Sequence, residues 1–325
     1  MASAFRIYRS LDEIDGRFGP CALSIGNFDG VHAGHRRILR RVVALAGEQG
    51  WKPSALTFHP HPARIVAPDR APRLLTAPEE RCRLMQEEGI AQVLILPFTR
   101  ELSRLSPEEF ARGILEEKLN ARAVLVGANF RFGYQHAGDM STLGELGRKL
   151  GFLTEALPAV AVRGRVVSSS EIRRLLQAGA VSLACRLLER PYALEGQIVA
   201  GRGIGSRKTV PTLNLATSAE VLPATGVYIT RTRDLASDRT WPSVTNVGYR
   251  PTFGGDTLSV ETFLLSPAEG DPPRAVRLEF LRRLRPERKF PDAPVLKAQI
   301  FRDASRAQAY FQRLRVFGRG SHLTA

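Results

Sequence analysis

Apolar and polar positions in the first half of the chain switch repeatedly between two periods. CALSIG (21–26), SALTF (54–58), QVLILPF (92–98) and RAVLVG (122–127) are short, nearly continuous apolar runs, the mark of strands buried on both faces. Between them the spacing becomes helical. Residues 35–46 bring Ile38, Leu39, Val42 and Val43 to one side of a helix. TAPEERCRLMQEEG (76–89) predicts a second helix, with Thr76 as N-cap, Pro78 in the first turn and Gly89 as its stop. SPEEFARGILEEKL (106–119) predicts a third, with Ser106 as N-cap, Pro107 at the first helical position and Glu109 completing a capping box. Strands separated by single helices imply right-handed crossovers and a parallel sheet, so the first domain is predicted to be α/β and Rossmann-like.

The pattern changes near residue 190. After a short helical piece, VSLACRLLER, the runs PYALEGQIVAG, GVYITRTR, WPSVTNVG, LSVETFLL and RAVRLEFLRRL alternate in period 2 and are divided by Gly, Pro and Asp turns. That pattern predicts an antiparallel β-barrel or sandwich, followed by a C-terminal helix over about 293–315. Two domains are expected, 1–187 and 188–325.

Composition narrows the class. A chain of 325 residues exceeds what one hydrophobic core usually serves, and 43% hydrophobic with 24% charged residues excludes a disordered chain. Three Cys (21, 82 and 185) without paired spacing fit a reducing compartment and argue against a disulfide framework or thiolate metal site. No run approaches the roughly 18 apolar residues of a membrane span, and the first residues lack a signal-peptide core. A cytoplasmic protein with no membrane partner, monomeric or weakly oligomeric, is expected. The net charge of +15 raises nucleic-acid binding as a rival reading. The Arg residues are scattered, however, with no nucleic-acid-binding motif, and such a surface equally suits phosphorylated small substrates.

The chemistry concentrates in SIGNFDGVHAGH (24–35). A strand feeding a helix through this loop places it at the carboxyl end of a parallel sheet, where open α/β sheets bind ligands. Gly26 and Gly30 permit a tight turn, Gly34 leaves room for a phosphate, and the helix start aims free N–H groups at the same point. His32 and His35 could then meet phosphate oxygens; a metal site, acid–base chemistry or a plain helix start are the other readings. FHPHP (58–62) adds His59 and His61 at the same sheet edge, bringing four of six His residues near one mouth.

GNFDGVHAGH resembles the G-x-F-D-x-x-H-x-G-H motif of nucleotidyltransferases. With TFHPHP, LTAPEER, LPFTRELSRLSPEEF, VGANFRFG, VSSSEIRRLLQAGAVSLACRLLERPY, PTLN, LPATGVY, TNVGYRPTFGG, VETFLL and RKF in order, nearly the whole chain resembles the prokaryotic bifunctional riboflavin kinase/FMN adenylyltransferases, also called FAD synthetases. The resemblance implies a nucleotidyltransferase domain followed by a barrel kinase domain. Its substrates would be riboflavin, FMN and ATP, with Mg²⁺ as cofactor and FAD as product.

Residue by residue, the resemblance implies that His32 and His35 handle ATP phosphates, in a nucleotide loop of Gly26, Asn27, Phe28, Asp29 and Gly34. Ser169, Ser170 and Arg173 of VSSSEIR would hold the triphosphate; a plain N-cap is the alternative for the serines. His59, Asn129, Phe130, Arg131 and Phe132 fall on the flavin side, with core packing the alternative for the Phe pair. In the second domain Gly205, Pro211, Thr212 and Asn214 would form the kinase ATP site, Thr212 and Asn214 serving as Mg²⁺ ligands. Glu261 would be the general base for the riboflavin hydroxyl, against a plain reading as the solvent-facing member of an alternating strand.

The kinase half departs from its relatives. GSRKTV precedes Pro211 where they carry G-R-x-L-G-[FY], and SPAEGDPPRAVRLEF follows VETFLL where they carry Leu-Tyr-Gly. An adenylyltransferase with a degenerate, flavin-binding barrel is therefore the second reading. Ser170 stands where the family carries Thr and keeps the hydroxyl.

Overall fold

The structure is a computed structural model that describes residues 5–16, 18–199, 212–252, 255–266 and 272–319. Two compact units divide the chain, Met1–Ser169 and Ser170–Ala325.

The first unit is built on six strands: β1 (Arg6–Tyr8), β2 (Cys21–Ile25), β3 (Lys52–His59), β4 (Gln92–Pro97), β5 (Ala121–Gly127) and β6 (Leu153–Leu157). They form one sheet in the order β1-β4-β3-β2-β5-β6, every pair parallel. The four apolar runs are the four central strands. The edge strands β1 and β6 were not among the expected elements, because each is largely exposed and carries no apolar run. The helices are α1 (Ala33–Gln49), α2 (Pro62–Val66), α3 (Pro78–Glu87), α4 (Pro107–Glu109, continuing as a π-helical run Phe110–Lys118) and α5 (Met140–Leu150). A small antiparallel pair, β7 (Ala161–Val162) with β8 (Arg165–Val166), follows.

Two helix starts differ in instructive ways. Helix α1 begins two residues ahead of the expected 35, because the His32 side chain caps it by accepting from the His35 N–H. Helix α4 has the full expected capping box, Ser106 and Glu109 each accepting from the other's backbone N–H. Thr76, in contrast, does not cap α3. The N-cap is Ala77, and the Thr76 side chain is drawn away to the loop after β2.

Apolar side chains fill both faces of the sheet. Leu23, Val124, Leu115 and Phe110 belong to one buried cluster, and Leu39, Val42, Leu84 and Ile95 to the other. Because β3 leaves β2 on one side and β5 returns on its other side, the chain reverses its winding direction at β2. The loops after β2 and β5 therefore flank the crevice at the carboxyl end of the sheet, the place where such sheets receive ligands.

The second unit opens with α6 (Ser169–Gln177, whose first residue closes the first unit) and α7 (Val181–Leu188). Six antiparallel strands follow: β9 (Tyr192–Val199), β10 (Leu213–Ala216), β11 (Gly226–Asp234), β12 (Thr240–Thr252), β13 (Gly255–Leu264) and β14 (Ala275–Arg285). They close into a barrel in the order β10-β13-β12-β11-β14-β9, so a barrel is formed rather than a sandwich, and no strand is left as an edge. Helix α8 (Ala293–Arg319) ends the described chain. One side of β11–β13 carries a chain of buried hydroxyls, in which Thr230 meets Ser243 at 2.8 Å and Thr245 at 2.7 Å, and Thr245 meets Thr262 at 2.6 Å. Alternation along the strands sends Val244, Asn246, Glu261 and Phe263 to the opposite side.

Candidate functional site

In the first unit the loop after β2 is bent beyond what ordinary side chains favour. Phe28 and Val31 take left-handed φ values of 47° and 37°, and Gly30 lies between them at 82°. For the β-branched Val31 this backbone is strained, and strain of this kind persists only where neighbours hold it. The holding groups are visible. Asp29, only 2% exposed, accepts from the backbone N–H of Leu75 at 2.9 Å and of Thr76 at 3.1 Å. The Thr76 hydroxyl accepts from the Gly30 N–H at 3.0 Å, and the Thr57 hydroxyl donates to the Asn27 carbonyl at 3.2 Å.

Beneath them Arg81, also 2% exposed, donates to the Thr57 hydroxyl at 3.1 Å. Burial lowers the pKa of this guanidinium, and the nearby Asp29 carboxylate pushes it back up. A buried cation thus sits under the loop. Sequence reasoning gave Arg81 no role. Its position in LTAPEER was the only signal, and nothing in that helix marks one Arg as buried.

This scaffold sets the two His side chains against each other. Their rings stack at 3.6 Å with an interplanar angle of 14°, and Phe28 meets His35 edge-on at 5.2 Å. The His32 ring lies where a Cβ at Gly34 would come within 3.3 Å of it, so the glycine makes room for the imidazole. Nδ1 of His32 accepts the cap hydrogen bond. The Ser169 hydroxyl, at the end of the first unit, donates to the Asp29 carbonyl at 2.8 Å. Ser170 is exposed and Arg173 half-buried on α6.

Across the crevice, Phe130 and Phe132 follow β5. Phe132 belongs to the buried core and packs on Phe110, as its packing alternative expects. Phe130 is half-buried and stacks on Phe132 at 5.5 Å. Asn129 is exposed, and Arg131 forms an exposed ion pair with Asp139 at 3.5 Å. His59 is exposed at the end of β3, while His61 accepts from the Ala63 N–H and caps α2.

In the second unit a cavity of about 430 Å³ lies on the side of β11–β13 away from the hydroxyl chain. Thr212, Asn246 and Glu261 line it. The strand register puts Asn214, Glu261 and Asn246 directly abreast on β10, β13 and β12. Glu261 is thus flanked by two side-chain amides and faces a cavity, which the plain solvent-facing reading did not anticipate. Arg285 and Arg288 lie over the Phe290 ring at 5.5 and 4.8 Å, and Arg285 also pairs with the buried Asp303 at 2.9 Å. Asn246 was quoted in the sequence only as part of TNVGYRPTFGG; cross-strand register, invisible in one dimension, is what brings it to Glu261. Gly205, Pro211 and the altered GSRKTV stretch lie outside the described residues.

Residues 16–171 match the family model for FAD synthetase, and residues 188–311 match the model for riboflavin kinase. The bifunctional riboflavin kinase/FMN adenylyltransferase of Pseudomonas fluorescens is 35% identical over 94% of this chain and 97% of its own length. The chain belongs to the bifunctional riboflavin kinase/FMN adenylyltransferase family. Its members from Escherichia coli (strain K12) and Bacillus subtilis (strain 168) are 33% and 31% identical, each over 90% of this chain and 93% of theirs. A solved structure titled as a macrolide-efflux protein from Streptococcus pneumoniae superposes with a TM-score of 0.82 at 23% identity, over 93% of this chain and 98% of that one. That likeness shows the fold. The adenylyltransferase model thus covers the parallel-sheet unit with its His loop, and the kinase model covers the barrel with its Glu261 cavity. Among the described residues no helix is long and apolar enough to cross a membrane.

Proposed function

We propose that the chain makes flavin nucleotides in two ATP-dependent steps, converting riboflavin to FMN in the barrel unit and FMN to FAD in the parallel-sheet unit. The observation that carries this reading is the order of the two family matches, each falling on a unit whose site suits its chemistry.

In the barrel, the Glu261 carboxylate takes the proton of the riboflavin 5′-hydroxyl as that oxygen attacks the γ-phosphorus of ATP; the bond to ADP breaks and ADP departs. Asn214 and Asn246, abreast of Glu261, orient the carboxylate and the incoming hydroxyl. Thr212 and Asn214 supply hard oxygen donors next to that carboxylate, a donor set that fits Mg²⁺. When bound, the ion offsets the negative charge of the phosphates. Phe290 and the apolar side chains of the cavity give the flavin ring a surface to lie on.

In the parallel-sheet unit, an oxygen of the FMN phosphate attacks the α-phosphorus of ATP and pyrophosphate leaves. No covalent intermediate is needed, so catalysis rests on positioning and charge stabilisation. His32 and His35 donate to the oxygens that gain charge, with the N–H groups of the α1 start behind them. Asn129 and Phe130 hold the flavin side, and Asp29, Thr76 and Arg81 keep the loop in shape.

Incubating the protein with riboflavin, ATP and Mg²⁺ and separating the flavins by chromatography tests the reading. FMN followed by FAD is expected. FAD formed only when FMN is supplied would leave the barrel as a binding module, and no conversion of either flavin would overturn both assignments.

A further inference from the structure

Asp303 on α8 lines the Glu261 cavity, yet the kinase step described above leaves it without a role. A carboxylate buried this deeply loses its hydration, and it is tolerated only where other groups meet its oxygens. Both oxygens are met. Arg285 Nε donates to Oδ2 at 2.9 Å, and the Gln299 amide, one turn earlier on α8, donates to Oδ1 at 2.9 Å. The Gln299 carbonyl in turn accepts from Arg288, and from Arg302 at 2.9 and 3.1 Å.

The network fixes Arg285, which ends β14 and also lines the cavity. Its Nε is held by Asp303, its Nη1 donates to the Pro286 carbonyl at 3.2 Å, and its guanidinium lies 5.5 Å from the centre of the Phe290 ring. The pair is lopsided: the Arg285 side chain is 16% exposed and that of Asp303 3%, so the cation is the more open member. A free arginine spreads its charge over many rotamers, whereas this one keeps its planar fork in the wall of the cavity. Phosphoryl transfer gains most from positive charge that is already in place, because such a charge need not reorient as the phosphate oxygens become more negative.

We infer that Asp303, supported by Gln299, is a positioning residue for riboflavin phosphorylation, holding the Arg285 guanidinium where the transferred phosphate gains charge. The inference rests on the kinase reading of this cavity.

A double-mutant cycle on the full-length protein tests it, with Asp303→Asn, Arg285→Met and the two combined. Asparagine has the shape of aspartate but a single oxygen, so it cannot serve Arg285 and Gln299 at two separate oxygens. Each single variant is expected to lower kcat for riboflavin phosphorylation by about tenfold to a hundredfold, with KM for riboflavin changed by less than about threefold. The combined variant is expected to be no slower than Arg285→Met, because nothing is left to position. The conversion of FMN to FAD and the unfolding transition of the barrel unit report on folding. A wild-type kcat in Asp303→Asn, or losses that multiply in the combined variant, overturns the inference. So does a barrel unit that no longer unfolds cooperatively in Asp303→Asn, since Asp303 would then serve stability alone. A wild-type protein that leaves riboflavin unphosphorylated would sink the kinase reading and this inference together.

Discussion

Replacing Thr76 by Val separates a local role from a tertiary one. Valine keeps the shape of threonine but removes the hydroxyl that accepts from the Gly30 N–H at 3.0 Å and lies 3.4 Å from the Asp29 carboxylate. The site is buried, so losing the shorter bond costs about 1–3 kcal/mol, and the longer contact adds little. For a unit of this size the expected fall in Tm is about 2–12 °C. Because Gly30 lies between two strained residues in the His32 loop, the reacting groups move as well. The expected loss in kcat/KM for FMN adenylylation is about tenfold to a hundredfold. Riboflavin phosphorylation, carried out in the other unit, is the internal control and should hold its rate. Two further variants sharpen the test. Thr76→Ser keeps the hydroxyl and should restore both stability and activity. Thr76→Asp is a good N-cap, yet it sets a second carboxylate against Asp29 and should be worse than Val. If Thr76→Asp is fully active, or Thr76→Val loses neither Tm nor FAD formation, the tertiary role is wrong and Thr76 is only a helix-start residue.

Glu261→Gln should lower riboflavin phosphorylation by about 10²–10⁴-fold while FMN is still converted to FAD; an unaffected kinase rate would remove Glu261 from the reaction. Gly196→Ala should destabilise the barrel by about 2 kcal/mol or more, read as a fall in its unfolding transition, because a Cβ there overlaps the Ala216 carbonyl of the adjacent strand. Burial pushes the Cys21 thiol from 9.0 up to about 12. Its neutral form is therefore kept in the folded state while the unfolded chain ionises, so this contribution to stability is complete below pH 9 and is lost as the pH rises towards 12. Cys21→Ala should show a shallower decline of Tm over the alkaline range, and an identical decline would refute the assignment.

Much of the molecule was legible in one dimension because its signals are local. The Ser106–Glu109 capping box spans one helical turn, the four apolar runs are continuous, and the glycines and histidines of residues 26–35 act on the same few ångströms of backbone. Edge strands β1 and β6 left no comparable trace, since a strand with an exposed face needs no apolar run. The barrel strands read weakly for a related reason. Their buried side is made partly of Thr230, Thr232, Ser243, Thr245 and Thr262, whose hydroxyls satisfy one another only after the strands are in register.

The candidate site motifs, the order of the two domains and the family resemblance were thus already present in the sequence, because motifs are short and contiguous. Tertiary structure alone decided that Thr76 and Arg81 support the His loop and that Asn246 stands beside Glu261. Those choices rest on hydrogen bonds, burial and charge between residues dozens of positions apart. Such contacts acquire energy only when the fold brings them together.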